Sequence, residues 1–378
     1  RSPLAEEAIE AIGDVARDYA SVEIDLNTGK RSQRNVAVQR LLRELTGAEA
    51  ALVVNNNAGA TMLTLAAMAT GREVIVSRGQ LIEIGGSFRL PEVMASSGAT
   101  LREVGATNKT HLRDYANAIN DNTAAIMLVH PSNFVVVGFS SEVELEELVE
   151  LGHRHKLPVI HDIGSGALID FAQFGFHGEP VASQSIKAGA DVALFSGDKL
   201  VGGPQCGIIV GRRKWVDRIA KHPMARALRV DKMTFAGLAA TLRLYRDPEK
   251  ARLAVPLLHL LTTSMENLRN RAERLAPQMA AAGAIEQAEP IEDVTFLGGG
   301  SIPAQKLGTW CIALKPTGMN VDQLAAALRL GTSPVIGRVQ QDRLLLDLRS
   351  VIPRQDAALV DAVDAIGKEK EENEEEYA

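Results

Sequence analysis

An α/β architecture, with a large mainly parallel sheet covered by helices on both faces and a smaller α+β part behind it, follows from three observations on these 378 residues. Helical and strand patterns alternate from about residue 35 to about residue 211, the pattern of a sheet wound with crossover helices. An apolar stretch, Val192 to Phe195, runs into a small-residue loop that presents Lys199 and continues through Gly202 and Gly203. A second short apolar run, Leu157 to Ile160, delivers Asp162 at its carboxyl end, where open α/β sheets bind their ligands.

The remaining elements follow in order. The opening pattern predicts a helix over about residues 3–19, free to pack on either domain. Residues 142–155 predict an acidic amphipathic helix just ahead of the Asp162 strand. Helices are expected over 212–222 and 232–246, with a break at Asp247-Pro248. A long helical stretch from about 250 to 282 leads into strands near 293–297, 309–315 and 343–348, interleaved with a helix at 321–330. These patterns place a large domain at 1–249, with the opening helix at 1–20, a small C-terminal domain at 250–367 and a charged tail at 368–378. No internal repeat or low-complexity linker interrupts them.

Composition excludes several classes. The hydrophobic fraction is 46%, typical of globular chains, and no uninterrupted apolar run reaches membrane-spanning length. Two cysteines, Cys206 and Cys311, are too few for a disulfide framework and fit a reducing cytoplasm. The net charge of −6 does not advertise a nucleic-acid binder, although part of the acidity sits in the Glu-rich tail. His153 and His155 lie on a polar helix end without cysteine or carboxylate companions, so a metal site is not expected.

The lysine loop carries the chemistry. A lysine becomes a nucleophile when its ammonium is desolvated or crowded by another cation, and neighbouring glycines let a flat aromatic group approach the backbone. That is the setting of a Schiff-base lysine. Pyridoxal phosphate also needs a carboxylate near its ring nitrogen, because the protonated pyridinium is the electron sink, and Asp162 supplies one. Gly164 lies on the same strand face as Asp162 and leaves room for the ring, while His161 points the other way and packs. The run Ala51 to Thr61 reads as a strand entering a small-residue helix, so Asn57, Ala58 and Gly59 offer free N–H groups to the phosphate, with Ser196 as a further contact. Cys206, beside the loop, reads as a small buried residue opening the next strand.

Longer blocks carry a resemblance. Arg1-Ser2-Pro3-Leu4, Leu52 to Ala58, Ser77 to Arg89, Leu101 to Thr110, Val129 to Phe134, Arg226 to Lys232, Gly298 to Pro303 and Pro334 to Arg338 together make the chain similar to bacterial selenocysteine synthase, the L-seryl-tRNA(Sec) selenium transferase family. The resemblance covers nearly everything before the tail. It implies a fold-type I enzyme dependent on pyridoxal 5'-phosphate, a phosphate loop, aspartate and lysine in that chain order, and homo-oligomers whose dimers assemble into a larger ring with sites at the subunit boundary. By resemblance, Arg1, Arg226 and Arg229 hold selenophosphate, the anionic selenium donor, and Asn133 contacts the ring hydroxyl. Family members carry a further N-terminal domain that holds the tRNA; this chain starts at Arg1 and reads as a catalytic core without it. Arg349 falls where related folds bind a substrate carboxylate, a group that the expected ester substrate lacks.

The expected reaction is β-elimination of water from seryl-tRNA(Sec), then addition of selenium to the β-carbon. Lys199 and Asp162 are the catalytic pair. Two other readings compete: a related β-eliminating enzyme acting on a small amino acid or amino-sugar acid, and a non-catalytic assembly subunit.

Overall fold

Apolar residues on both sides of a strand demand cover on both sides, and the central strands of this chain have it. The structure, a computed structural model, describes residues 1–24, 26, 28–30, 36–85, 88–298 and 301–366. The predicted charged tail at 368–378 lies outside the described residues. The described chain divides into two units, Arg1–Leu258 with Gly298–Ala304, and His259–Leu297 with Gln305 onward.

The first unit is built on a seven-stranded sheet of β1 (Ala50–Val54), β2 (Glu73–Ser77), β3 (Thr100–Val104), β4 (Thr123–Val129), β5 (Val159–Gly164), β6 (Val192–Ser196) and β7 (Gly207–Gly211). Their spatial order is β1-β7-β6-β5-β4-β2-β3. Neighbours pair in parallel from β6 to β3, whereas β7 runs antiparallel to both β1 and β6. The antiparallel strand still leaves β1 pointing the same way as β2 to β6, so six strands end on one edge of the sheet, β1, β4, β5 and β6 among them. That edge holds the residues singled out from the sequence.

Alternation along the strands sorts the core into two layers. Val74, Val76, Met127, Val129, Ile160 and Leu194 pack on one face against Leu63, Leu65 and Met94. Ile75, Ile126, Leu128 and Val159 pack on the other against Tyr115, Leu148 and Leu151. Burying each such aliphatic side chain contributes roughly 1.5–3 kcal/mol, so two filled layers make the sheet a rigid platform. The mainly parallel α/β sheet is as the sequence predicts.

Helices follow their caps. Asn56 caps helix Asn57–Ala69 by accepting from the Gly59 N–H at 2.7 Å. The opening helix is Glu6–Arg17 and packs within the first unit on helix Lys232–Leu244. Gly237 makes that approach possible, since a Cβ there would stand 2.8 Å from Ile12 Cδ1. The acidic helix is Leu145–Arg154, and its His153 reaches the buried Asp191 at 3.0 Å. The stretch expected as one long helix over 250–282 is three: Pro248–Ala254, Pro256–Thr262 and Met265–Ala280. Proline weakens a helix interior but suits its first turn, so the chain breaks before Pro256 and restarts there and again at the Ser264 cap, although Pro277 is accommodated inside the last of the three.

In the second unit, β8 (Ile285–Phe296), β9 (Lys306–Pro316), β10 (Arg338–Gln340) and β11 (Arg343–Asp347) form an antiparallel sheet in the order β8-β9-β11-β10. Helix Val321–Leu330 and helix Met265–Ala280 bury Leu324, Leu328, Leu268 and Leu275 against Ile312, Leu314 and Leu346.

Candidate active site

Strand ends β1, β4, β5 and β6 surround a cavity of about 200 Å³ in the first unit. Arg1, Asn57, Ala58, Asp162, Gly164, Ser196 and Lys199 all line it. Ile82, Ile84 and Phe88, carried by a short hairpin pairing Glu83–Ile84 with Phe88–Arg89, supply an apolar wall. A larger cavity of about 440 Å³ lies in the second unit between helix Val321–Leu330 and helix Asp356–Asp364, but its lining holds no lysine, histidine or cysteine. Size alone therefore does not pick the site; the chemistry of the lining does.

Asp162 is 5% exposed and held from three directions. Asn57 Nδ2 donates to its Oδ1 at 2.9 Å, Thr61 Oγ1 to its Oδ2 at 2.9 Å, and the Gly164 N–H to Oδ1 at 3.0 Å. Burial pushes the carboxyl above the usual carboxylate range, and those three hydrogen bonds and the Lys199 charge pull the other way. Gly164 turns back at φ +71°, where an L side chain is strained, and a Cβ there would come 3.1 Å from Ser132 Oγ. The carboxylate is thus fixed in place yet short of positive charge.

Lys199 shows the complementary imbalance. Burial lowers its pKa first and the positive charge of Arg1 second, while Asp162, Asp198 and Glu179 oppose them. Arg1 and Asp198 are ion-paired at the mouth of the loop. An amine held below its ordinary pKa spends more time as a nucleophile.

The residues present fit pyridoxal phosphate. Asn57, on the cavity lining, has its Oδ1 buried without a partner, the kind of gap a bound polar group closes. The first-turn N–H groups of Asn57 and Ala58 lack intrahelical acceptors, as at any helix start, and Ser196 joins them on the cavity lining. Asp162 lacks the fixed cation that a ring nitrogen would bring.

Other predicted residues stand elsewhere. The Gly59 N–H is taken by the Asn56 cap, and Gly59 sits against Leu228 rather than on the cavity lining. Asn133 donates to the Glu83 carbonyl at 2.9 Å and is also off the lining. Arg226 and Arg229 are exposed, on and just after the short helix Met224–Ala227, and Arg229 borders a separate pocket with Asn55 and Asp231. Arg349 spends its guanidinium on backbone carbonyls: Gly308 at 2.8 Å, Leu260 at 3.0 Å and Thr263 at 2.9 Å. Cys206 is fully buried, and burial pushes its thiol up, away from reactivity. His161 is buried against Ser185, and burial brings its pKa down to about 3, so it stays a neutral packing group. No group of side chains that could hold a metal ion occurs among the described residues.

Sequence reasoning missed Thr61, which completes the Asp162 cradle, and His130, which lines the cavity. Thr61 lies one helical turn after Asn57, and that i, i+4 spacing was the available signal.

The sheet order, the antiparallel strand, and a buried aspartate with a half-buried lysine on neighbouring strand ends define a fold-type I enzyme of the pyridoxal-phosphate-dependent class. The solved D-glucosaminate-6-phosphate ammonia-lyase shares the fold, with a TM-score of 0.66 at 21% identity over 97% of this chain and 92% of that one. The chain belongs to the SelA family, L-seryl-tRNA selenium transferase, whose model matches residues 1–352. The L-seryl-tRNA(Sec) selenium transferase of Desulfomicrobium baculatum is 51% identical over 97% of this chain and 79% of its own length. That of Solidesulfovibrio magneticus is 54% identical over 93% of this chain and 75% of its own length.

Proposed function

We propose that this chain converts seryl-tRNA(Sec) to selenocysteinyl-tRNA(Sec), using pyridoxal 5'-phosphate and selenium from selenophosphate. The observation that carries the reading is the meeting of Lys199 and Asp162 on one cavity in a chain about half identical to transferases of that name. Bound pyridoxal phosphate supplies an electron sink for the pair left when the serine Cα loses its proton.

The chain's own residues do the rest. Lys199 would hold the coenzyme through its amine and, when that amine is free, would take the Cα proton as general base. Asp162, oriented by Asn57, Thr61 and the Gly164 N–H, keeps the ring nitrogen protonated. Asn57 and Ala58 N–H groups and Ser196 Oγ hold the phosphate, with Gly59 helping only through the cap that sets the helix start. Arg1 stands at the cavity mouth to meet the anionic selenium donor. Arg226, Arg229 and Asn133, which do not line this chain's cavity, act at the site of an adjacent copy if the chain forms the family's dimers and ring. No helix among the described residues is long and apolar enough to cross a membrane, and the proposed location is the cytoplasm.

The test has two arms. Borohydride reduction and peptide mapping of the protein loaded with pyridoxal phosphate should leave the label on the Lys199 peptide. Seryl-tRNA(Sec), free serine and amino-sugar acid phosphates offered in parallel should give turnover with the first. Label elsewhere, or turnover of a free acid alone, overturns the reading.

A further inference from the structure

Loss of the serine hydroxyl needs a proton at the oxygen, because hydroxide is a poor leaving group, and Lys199 is occupied with the proton from Cα. The geometry points to His130 as the acid that protonates this oxygen, with Glu179 as the residue that positions its ring. This assignment rests on the function proposed above.

His130 follows β4 directly and lines the cavity with Asp162 and Lys199. Its backbone N–H donates to the Asp162 carbonyl at 2.9 Å, which ties it to the strand end that carries the carboxylate. Its Nε2 stands 3.4 Å from Glu179 Oε2, with side-chain exposures of 19% and 2%. Ser165 Oγ donates to the other Glu179 oxygen, and the Ser165 carbonyl accepts from the Leu200 N–H at 3.4 Å, next to the lysine. A carboxylate with 2% of its surface exposed is expensive to keep unless it is paired, and its two partners here are a serine and the cavity histidine. Carboxylate behind imidazole is the arrangement that fixes ring orientation. The other titratable residues on the lining are committed: Arg1 and Asp198 to each other, Asp162 to its cradle, and Lys199 to the Cα proton. Histidine is also the side chain whose ordinary pKa suits proton delivery near neutrality.

The step balances within the cavity. The Cα–H proton passes to Lys199 Nζ, the C–H electron pair becomes the Cα–Cβ double bond, and the Cβ–O bond breaks with its electrons on oxygen. That oxygen takes the His130 proton and leaves as water, and His130 becomes neutral.

His130→Gln and Glu179→Gln separate this role from a structural one. Each variant is loaded with pyridoxal phosphate and compared for coenzyme affinity, thermal midpoint, deuterium exchange at Cα of seryl-tRNA(Sec), and elimination from seryl-tRNA(Sec) and β-chloroalanyl-tRNA(Sec). Chloride departs without a proton. His130→Gln should keep its coenzyme affinity, Cα exchange and chloride elimination within about threefold, and lose hydroxyl elimination by about 10²–10⁴-fold. Glu179→Gln should show the same leaving-group dependence at smaller size. If His130→Gln slows both leaving groups equally, or neither, the assignment is overturned while the proposed function stands. A wild-type chain inert in both exchange and elimination overturns the function and the assignment together.

Discussion

Charge buried around Asp356 in the second unit and charge at the cavity of the first are handled in opposite ways. In the second unit, Asp356 accepts from Arg271 at 2.6 and 3.2 Å and from Arg274 at 2.6 Å. Arg271 gives its remaining donors to the carbonyls of Leu348 and Val351, at 3.3 and 2.9 Å. Arg349 is likewise consumed by carbonyls. In the first unit, Asp162 is displaced upward and Lys199 downward, and Asn57 Oδ1 and Ser132 Oγ are left over. Satisfied buried charge pins the chain to itself; unsatisfied buried charge waits for something else. The contrast separates structural from chemical residues without reference to any relative.

The sharpest way to break that contrast is at Asp162. Asparagine keeps the size and one acceptor but cannot hold a proton on the ring nitrogen. Asp162→Asn should therefore cut turnover by about 10²–10⁴-fold while the thermal midpoint holds or rises, since a poorly compensated buried carboxyl has been removed. Steady-state rates and a thermal melt on the same preparation check both halves. A large fall in melting temperature with little loss of rate would make Asp162 a structural residue like Asp356.

The converse belongs to Arg271. Arg271→Leu strips Asp356 of its buried partner, leaving it Arg274, whose side chain is 57% exposed, and orphans two carbonyls. Removing one side of a buried pair typically costs about 3–5 kcal/mol. Denaturant unfolding should show a loss at the lower end of that range, because Arg274 still compensates part of the charge. A cost under about 1 kcal/mol would put the pair among surface-like bridges.

What the sequence disclosed and what it hid divide along similar lines. Asp162 and Lys199 are legible because each follows an apolar strand and enters a loop of small residues, so strand-end geometry alone predicts that they converge. The predicted sheet and the helix at 321–330 are legible from periodicity. Thr61 and Glu179 are not, since their meaning comes from partners distant in the chain, as with the 101 residues between Thr61 and Asp162. Gly59 shows a different failure: three asparagines run into the helix, and the sequence does not say which one caps it. Arg349 resembled a ligand residue only by region. Two of the carbonyls that absorb it, those of Leu260 and Thr263, belong to the end of helix Pro256–Thr262 and the junction before Met265–Ala280, which the sequence reading merged into one long helix.

The smallest effect tests the electrostatic half of the comparison, at Arg1. Burial lowers the Lys199 pKa foremost and the Arg1 charge adds to it, while Asp198, which Arg1 partly neutralises, works in the opposite sense. Arg1→Ala removes the repulsive cation and bares the attractive anion, so both changes favour the ammonium and the Lys199 pKa rises. The unprotonated amine then appears at higher pH, and the acidic limb of the pH profile for pyridoxal phosphate attachment should move alkaline. With the Arg1 side chain 53% exposed, solvent and salt screen the interaction, which limits the move to about one pH unit or less and shrinks it further at high ionic strength. Absorbance-monitored attachment rates across pH, at low and high salt, give the midpoint directly. An alkaline move of the same size at low and high salt would mean that Arg1 acts on Lys199 chiefly by excluding water from the cavity mouth rather than by its charge, and a midpoint that moves toward acid would overturn both accounts.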